Sequence, residues 1–198
     1  MISHRSFFSA KTFYFFYYAA WACLAPFLAL YYRNLGFTGR QIGLLASISP
    51  LTTLIAASFW GAVADASQRH RTVLLGAIAG AGISVFVLAQ VNSFWLIIPI
   101  VISYSFFAAP IIPLVDNSVV AQLGANREQY GKQRLWGAIG WGLAGPLAGW
   151  LVGIYGISAA FPAYLSLIGM AFLASWFLLV ILSPENPGRQ CCSSCSMV

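Results

Sequence analysis

Charge is what this sequence has least of. Only 7% of its 198 residues are Asp, Glu, Lys or Arg, against about 25% in soluble domains, and a water-facing surface cannot be assembled from that supply. The two histidines, His4 and His70, stand outside the long apolar runs, and no HExxH, GxSxG or Walker pattern occurs. A buried Ser-His pair, a zinc hydrolase site or a nucleotide-binding loop therefore lacks its parts, and the chain reads as something other than an enzyme. Of the four cysteines, Cys23 is alone in the first apolar run and the rest crowd into the last eight residues. No disulfide framework follows, and the single CxxC, Cys192 to Cys195, has no second half for a metal. The net charge of +6 comes from basic residues placed singly or in small groups, not gathered into the stripe that nucleic acid requires.

What the chain has in quantity is apolar residues, 60% of the whole, with a mean hydropathy of +0.82. Six long uncharged segments result. Each has about 18 to 24 residues, enough at 1.5 Å per residue to cross a hydrocarbon core of about 30 Å. Strands of an outer-membrane barrel would alternate apolar and polar, whereas these runs are apolar on every face. Hydropathy alone marks 94–115 and 135–154 in the fourth and fifth segments. Continuing the fourth helix past Asp116 and starting the fifth near Tyr130 gives expected spans of 12–32, 42–63, 72–89, 94–122, 130–154 and 159–182. Residues 1–11 form an N-terminal segment and 183–198 a polar tail, whose cysteines suit palmitoylation or nothing at all. The first run is too long for a signal-peptide core and reads as an uncleaved span.

The basic residues then set orientation. Arg5, Lys11, Arg69, Arg71, Arg127, Lys132, Arg134 and Arg189 fall on one side of the six-span scheme, and Arg33 and Arg40 on the other. Eight against two places both termini in the cytoplasm by the positive-inside rule.

Four groups of residues carry possible chemistry. In GAVADASQRHR, Gly61 permits close helix approach while Asp65, Arg69 and Arg71 suit a charge-assisted latch at a helix end; the same residues also read as a plain positive-inside loop with one acid. Asp116 and Arg134 flank the next loop. As helix caps they lie at the interface, and as intramembrane charges they must face a cavity or each other. Arg134, Ala138 and Trp141 share a helix face at i, i+4 and i+7, which offers an oxygen clamp, room and an indole surface for a solute ring. Tyr14, Tyr17, Tyr18 and Trp21 share a face of the first helix. Tyr14 fits an interfacial aromatic belt, whereas Trp21 is too deep for one and serves either packing or a ligand. Gly145, Gly149 and Gly153, with Pro146 between, repeat at the spacing of close helix packing with a kink.

Gly61, Asp65 and Arg69 together resemble the loop signature of the major facilitator superfamily. YGKQRLWGAIGW, Tyr130 to Trp141, looks like the opening of the fifth helix in its lactose permease branch, which also has nucleoside and phenylpropionate symporters as relatives. In that branch a fourth-helix acid precedes a substrate-binding arginine by eighteen positions and a stacking tryptophan follows seven later; Asp116, Arg134 and Trp141 reproduce both spacings. The resemblance implies half of a major facilitator fold: an all-α membrane protein of six transmembrane helices in two inverted three-helix repeats. It also implies proton-coupled import of a sugar, nucleoside or aromatic acid, with the proton as coupling ion and no other cofactor. Arg134 would bind solute, Asp116 orient it, Trp141 stack, Tyr18 and Trp21 border the cavity, and Asp65 with Arg69 latch the cytoplasmic side. The expected partners are the lipid bilayer, the solute, and a second six-helix half or a second copy, in a plasma or inner membrane. The alternative is a truncated, non-transporting membrane protein or a subunit that packs against another membrane chain.

Overall fold

The computed structural model describes residues 4–67, 70–123 and 128–182, and every regular element among them is a helix. These are α1 (His4–Asn34), α2 (Gly39–Ser67), α3 (His70–Leu88), α4 (Phe94–Ala108), α5 (Ile111–Leu123), α6 (Tyr130–Tyr155) and α7 (Ala160–Leu182), the last preceded by a short turn of 3-10 helix at Ile157–Ala159. Helix is the outcome because a spanning segment must satisfy its own backbone groups when no water is at hand. Pro26, Pro50, Pro99 and Pro146 lie inside continuous helices, a tolerance typical of membranes.

Five segments among the described residues are long and apolar enough to cross a membrane: Ser9–Asn34, Gly39–Val63, Phe94–Ala121, Tyr130–Tyr155 and Ile157–Trp176. The third expected span, 72–89, is an apolar helix at Thr72–Leu88, shorter than the others. A further departure lies in the fourth segment, expected to be one helix. It is two, α4 and α5, separated by Ala109 and Pro110.

Turn chemistry explains the tight connections. Gly36 closes the α1–α2 turn at φ 81° and Gly156 ends α6 at φ 84°, values that only glycine adopts without strain. Gln41 reaches back to accept the backbone N–H of Thr38 at 2.8 Å, a cap for the first turn of α2.

Packing centres on α1, which lies against α6 and α7; α4 lies against α2 and α3, and α3 against α7. Phe13, Tyr14 and Leu24 of α1 are fully buried, together with Leu74, Ile78, Ile97 and Val115. Leu54, Ile55, Trp95, Leu147 and Trp150 are exposed, as suits a molecule whose solvent is lipid, where association rests on close contact and interhelical hydrogen bonds. Such bonds join Ser105 to Ser49 at 2.9 Å, Ser84 to Ser103 at 3.1 Å and Ser9 to the Ala174 carbonyl at 3.0 Å.

At Gly137 and Gly140, α6 comes close to α1. A Cβ on Gly137 would stand 2.6 Å from the Tyr18 ring, and one on Gly140 would strike the backbone carbonyl of Phe15. Ala144 and Ala148 continue this seam against Ala19, Ala22 and Cys23. Among the described residues a methyl group added at Gly145, Gly149 or Gly153 would meet nothing within 4 Å, so the seam with α1 does not use the expected packing glycines, and Pro146 beside them is exposed. The reason is rotational, since α6 turns its Gly137–Gly140–Ala144 face to α1 and the Gly149 face away.

Candidate functional site

Three helices converge on Asp116 and Arg134. Asp116 lies in the middle of α5, and Arg134 is in the second turn of α6. Their side chains meet as an ion pair, Arg134 Nη1 standing 3.9 Å from Asp116 Oδ2. That separation exceeds a hydrogen bond, so attraction holds the pair without saturating the guanidinium donors.

The other carboxylate oxygen is tied down more firmly. Tyr14 of α1 donates its hydroxyl to Asp116 Oδ1 at 2.5 Å. Tyr14 is 0% exposed, so the belt reading of this residue is corrected: it serves the interior of the bundle, not the interface. Arg134 Nη1 also donates to the Tyr130 hydroxyl at 3.2 Å, one helical turn back on α6. Tyr18 lies over Gly137 and brings its hydroxyl within polar reach of the same guanidinium.

Two turns along α6, Trp141 meets Trp21 of α1, their ring centroids 5.1 Å apart at a tilt of 54°. Ala138 lies exposed between Arg134 and Trp141. The expected set Asp116, Arg134, Tyr18, Trp21, Ala138 and Trp141 thus occupies one facing pair of helices plus α5. Tyr14 and Tyr130 are the members that sequence reasoning missed. Tyr14 is four residues before Tyr18, on one face with it, which was the available signal.

Exposure divides the pair. Arg134 has 51% of its side chain accessible and Asp116 21%, so the carboxylate is the anchored partner and the guanidinium the open one. A cavity of about 190 Å³ between α1, α2, α3 and α4, bordered by Leu28, Tyr32, Ser49 and Tyr104, does not reach the charges, which lie on an open face. Chemically, a guanidinium whose charge is already balanced can grip hydroxyl or carbonyl oxygens with two parallel donors. Indole faces beside it favour a flat ring.

The gate residues gather less structure. Gly61 is exposed, and among the described residues none comes within 4 Å of a Cβ placed there. Asp65 and Arg71 belong to α2 and α3 with side chains outside the described residues, and Arg69 lies outside them altogether. Among the described residues no group of three or more His, Cys, Asp or Glu could hold a metal ion.

Comparison with known proteins places this architecture. Residues 7–194 match the model of the MFS_1 like family. The maltose permease of Geobacillus stearothermophilus is 30% identical over 165 residues, covering 82% of this chain and 42% of that protein. The uncharacterized transporter YwbF of Bacillus subtilis is 29% identical over 188 residues, covering 94% and 45%. The multidrug resistance protein MdtG of Yersinia enterocolitica is 30% identical over 166 residues, covering 80% and 40%. In the crystal structure of the nucleoside transporter NupG, 45% of that chain superposes on 93% of this one with a TM-score of 0.75 at 20% identity, a likeness of fold. The chain spans less than half the length of these relatives, which are permeases and transporters rather than enzymes. It is an integral membrane protein and belongs to the MFS_1 like family of the major facilitator superfamily.

Proposed function

We propose that this chain forms one six-helix half of a proton-coupled importer of a small organic solute, a sugar, nucleoside or aromatic acid. The observation that carries the reading is the ion pair of Asp116 and Arg134 beside the Trp21–Trp141 surface. An intramembrane charge pair with an open guanidinium is costly unless it serves a pathway. Arg134 binds solute oxygens, Asp116 orients Arg134, Trp141 stacks on the ring, and Tyr18, Trp21 and Ala138 border the space. A permease for maltose among the relatives and the fold of a nucleoside transporter support solutes of this size.

In this reading Thr72–Leu88 also crosses, as the third of six spans, and the first three spans repeat as the second three in inverted topology. The packing partners are consistent with that exchange: α1 with α6 and α7 has its counterpart in α4 with α2 and α3, while α3 with α7 maps onto itself. Both termini are cytoplasmic, in a plasma or inner membrane. Asp65, Arg69 and Arg71 latch that side. Transport takes place when this half faces a second six-helix half, or a second copy, across the open face that carries Arg134. Kinship with permeases and transporters supports this over a non-transporting partner subunit.

Proteoliposomes holding the chain together with such a second half test the reading. Labelled maltose, uridine or phenylpropionate should accumulate under an inward proton gradient and leak back on adding a protonophore. Uptake indifferent to the protonophore removes proton coupling, and none with any solute class removes the importer.

A further inference from the structure

We infer that Trp60 is a positioning residue for Asp116. Its indole N–H, reaching over from α2, replaces the backbone donor that Pro110 deletes at the α4/α5 break, and so fixes the angle at which α5 carries Asp116 toward Arg134.

The accounting of backbone donors leads there. In a helix the N–H of each residue donates to the carbonyl four positions earlier. At the end of α4 the Ala109 N–H still donates to the Ser105 carbonyl at 3.1 Å, and beyond the break the Leu114 N–H donates to the Pro110 carbonyl at 3.0 Å. Residues 110 to 113 lie between them; the first of these would donate to the Phe106 carbonyl, and proline has no N–H to give there, nor has Pro113 three residues on. Inside a membrane no water replaces it, and an orphaned carbonyl is expensive. Trp60 Nε1 donates to that carbonyl, Phe106 O, at 2.9 Å.

Aromatic neighbours hold the indole in place. Its ring centroid lies 5.4 Å from that of Phe106 and 6.2 Å from that of Phe107. Phe107 in turn lies on Gly80 of α3, where a Cβ would stand only 2.6 Å from the ring. The break is therefore gripped from α2 by a hydrogen bond and from α3 by close packing. Asp116 follows Pro110 by six residues, about 9 Å along α5, so a change of angle at the break moves the carboxylate relative to Arg134 on α6. A tryptophan near a helix end is otherwise an ordinary interfacial anchor. An anchor has no reason to depend on which residue stands at position 110.

That dependence is the test, and it uses the full chain in lipid nanodiscs with Trp60→Phe, Pro110→Ala and the double variant. Pro110→Ala supplies the missing N–H. Trp60→Phe alone should move the folded-to-unfolded ratio in detergent titration by about tenfold toward unfolded, the consequence of a carbonyl left without a partner. It should also raise the rate at which phenylglyoxal modifies Arg134, read by peptide mass spectrometry, by about threefold, as a loosened ion pair allows. On the Pro110→Ala background both effects should vanish. Equal effects in the two backgrounds, or an Arg134 rate unmoved by Trp60→Phe, overturn the inference. If Trp60→Phe does not accumulate, its rescue by Pro110→Ala supports the inference and failure of rescue overturns it. Only the link from Asp116 to solute rests on the proposed site; neither readout employs a solute, so failure of the importer reading leaves this outcome distinct.

Discussion

Tyr14 donates its hydroxyl to Asp116 Oδ1 at 2.5 Å, joining α1 to α5 across 102 positions of chain. The bond occupies one carboxylate oxygen and leaves the other facing Arg134. A carboxylate held on both sides cannot follow a solute that pulls on the guanidinium, so the guanidinium is the part free to reorganise.

Tyr14→Phe keeps the ring and deletes that donor. Because Tyr14 is wholly buried and the acceptor is a carboxylate, the loss should be about 1 to 2 kcal/mol, measured by denaturant titration in detergent. A double cycle with Asp116→Asn should show most of it as coupling between the two residues. Additive losses would mean that the hydroxyl contributes nothing through Asp116.

The spans are legible because lipid demands unbroken apolar length, and composition alone meets that demand. The break at Pro110 is not, since Pro26, Pro50, Pro99 and Pro146 leave their helices continuous; proline marks a break only in a context that sequence does not display. For Asp116 and Arg134, hydropathy leaves open caps, a cavity or each other, and the eighteen-residue spacing of a known branch favours the pair. Tyr14 escaped because an aromatic near the start of a span reads as a belt. Its burial follows from α1 being wrapped by α6 and α7, a fact of tertiary packing. The glycines of α6 repeat the lesson: spacing identifies a small-residue stripe, and only the neighbour decides which stripe is used.

Gly140→Ala and Gly149→Ala should therefore part company. At Gly140 the added methyl meets the Phe15 backbone carbonyl, which cannot swing aside, and overpacking of this kind costs about 1 to 3 kcal/mol. At Gly149 the space is open and alanine is the better helix former by up to about 1 kcal/mol. Thermal unfolding in one detergent checks both. A loss at Gly149 equal to that at Gly140 would restore the four-residue repeat as the contact.

The eight-to-two distribution of basic residues predicts the topology. Reporter fusions after Gly124 and after Arg189 should report the cytoplasm, and fusions at Asn92 and Gly156 the exterior. A cytoplasmic signal at Asn92 would mean that Thr72–Leu88, the shorter apolar helix, does not cross, and the six-span scheme would fall.

The charge pair gives the most direct test of the solute site. With the chain assembled into a transport-competent protein, Arg134→Lys should abolish solute binding while expression stays near normal. An ammonium keeps the charge and loses the planar two-pronged donor geometry, and with 51% of the side chain accessible the fold depends little on its shape. Asp116→Ala should do similar harm to binding, since it leaves the guanidinium without its balancing charge and the Tyr14 hydroxyl without its acceptor. Trp141→Phe should weaken binding by about 1 kcal/mol, because a smaller face remains to stack. Tryptophan quenching and uptake into proteoliposomes read all three. If Arg134 merely capped a helix end, lysine would replace it freely, as either cation serves there. Wild-type affinity in Arg134→Lys would thus withdraw the solute site from these residues and leave the helical membrane fold untouched.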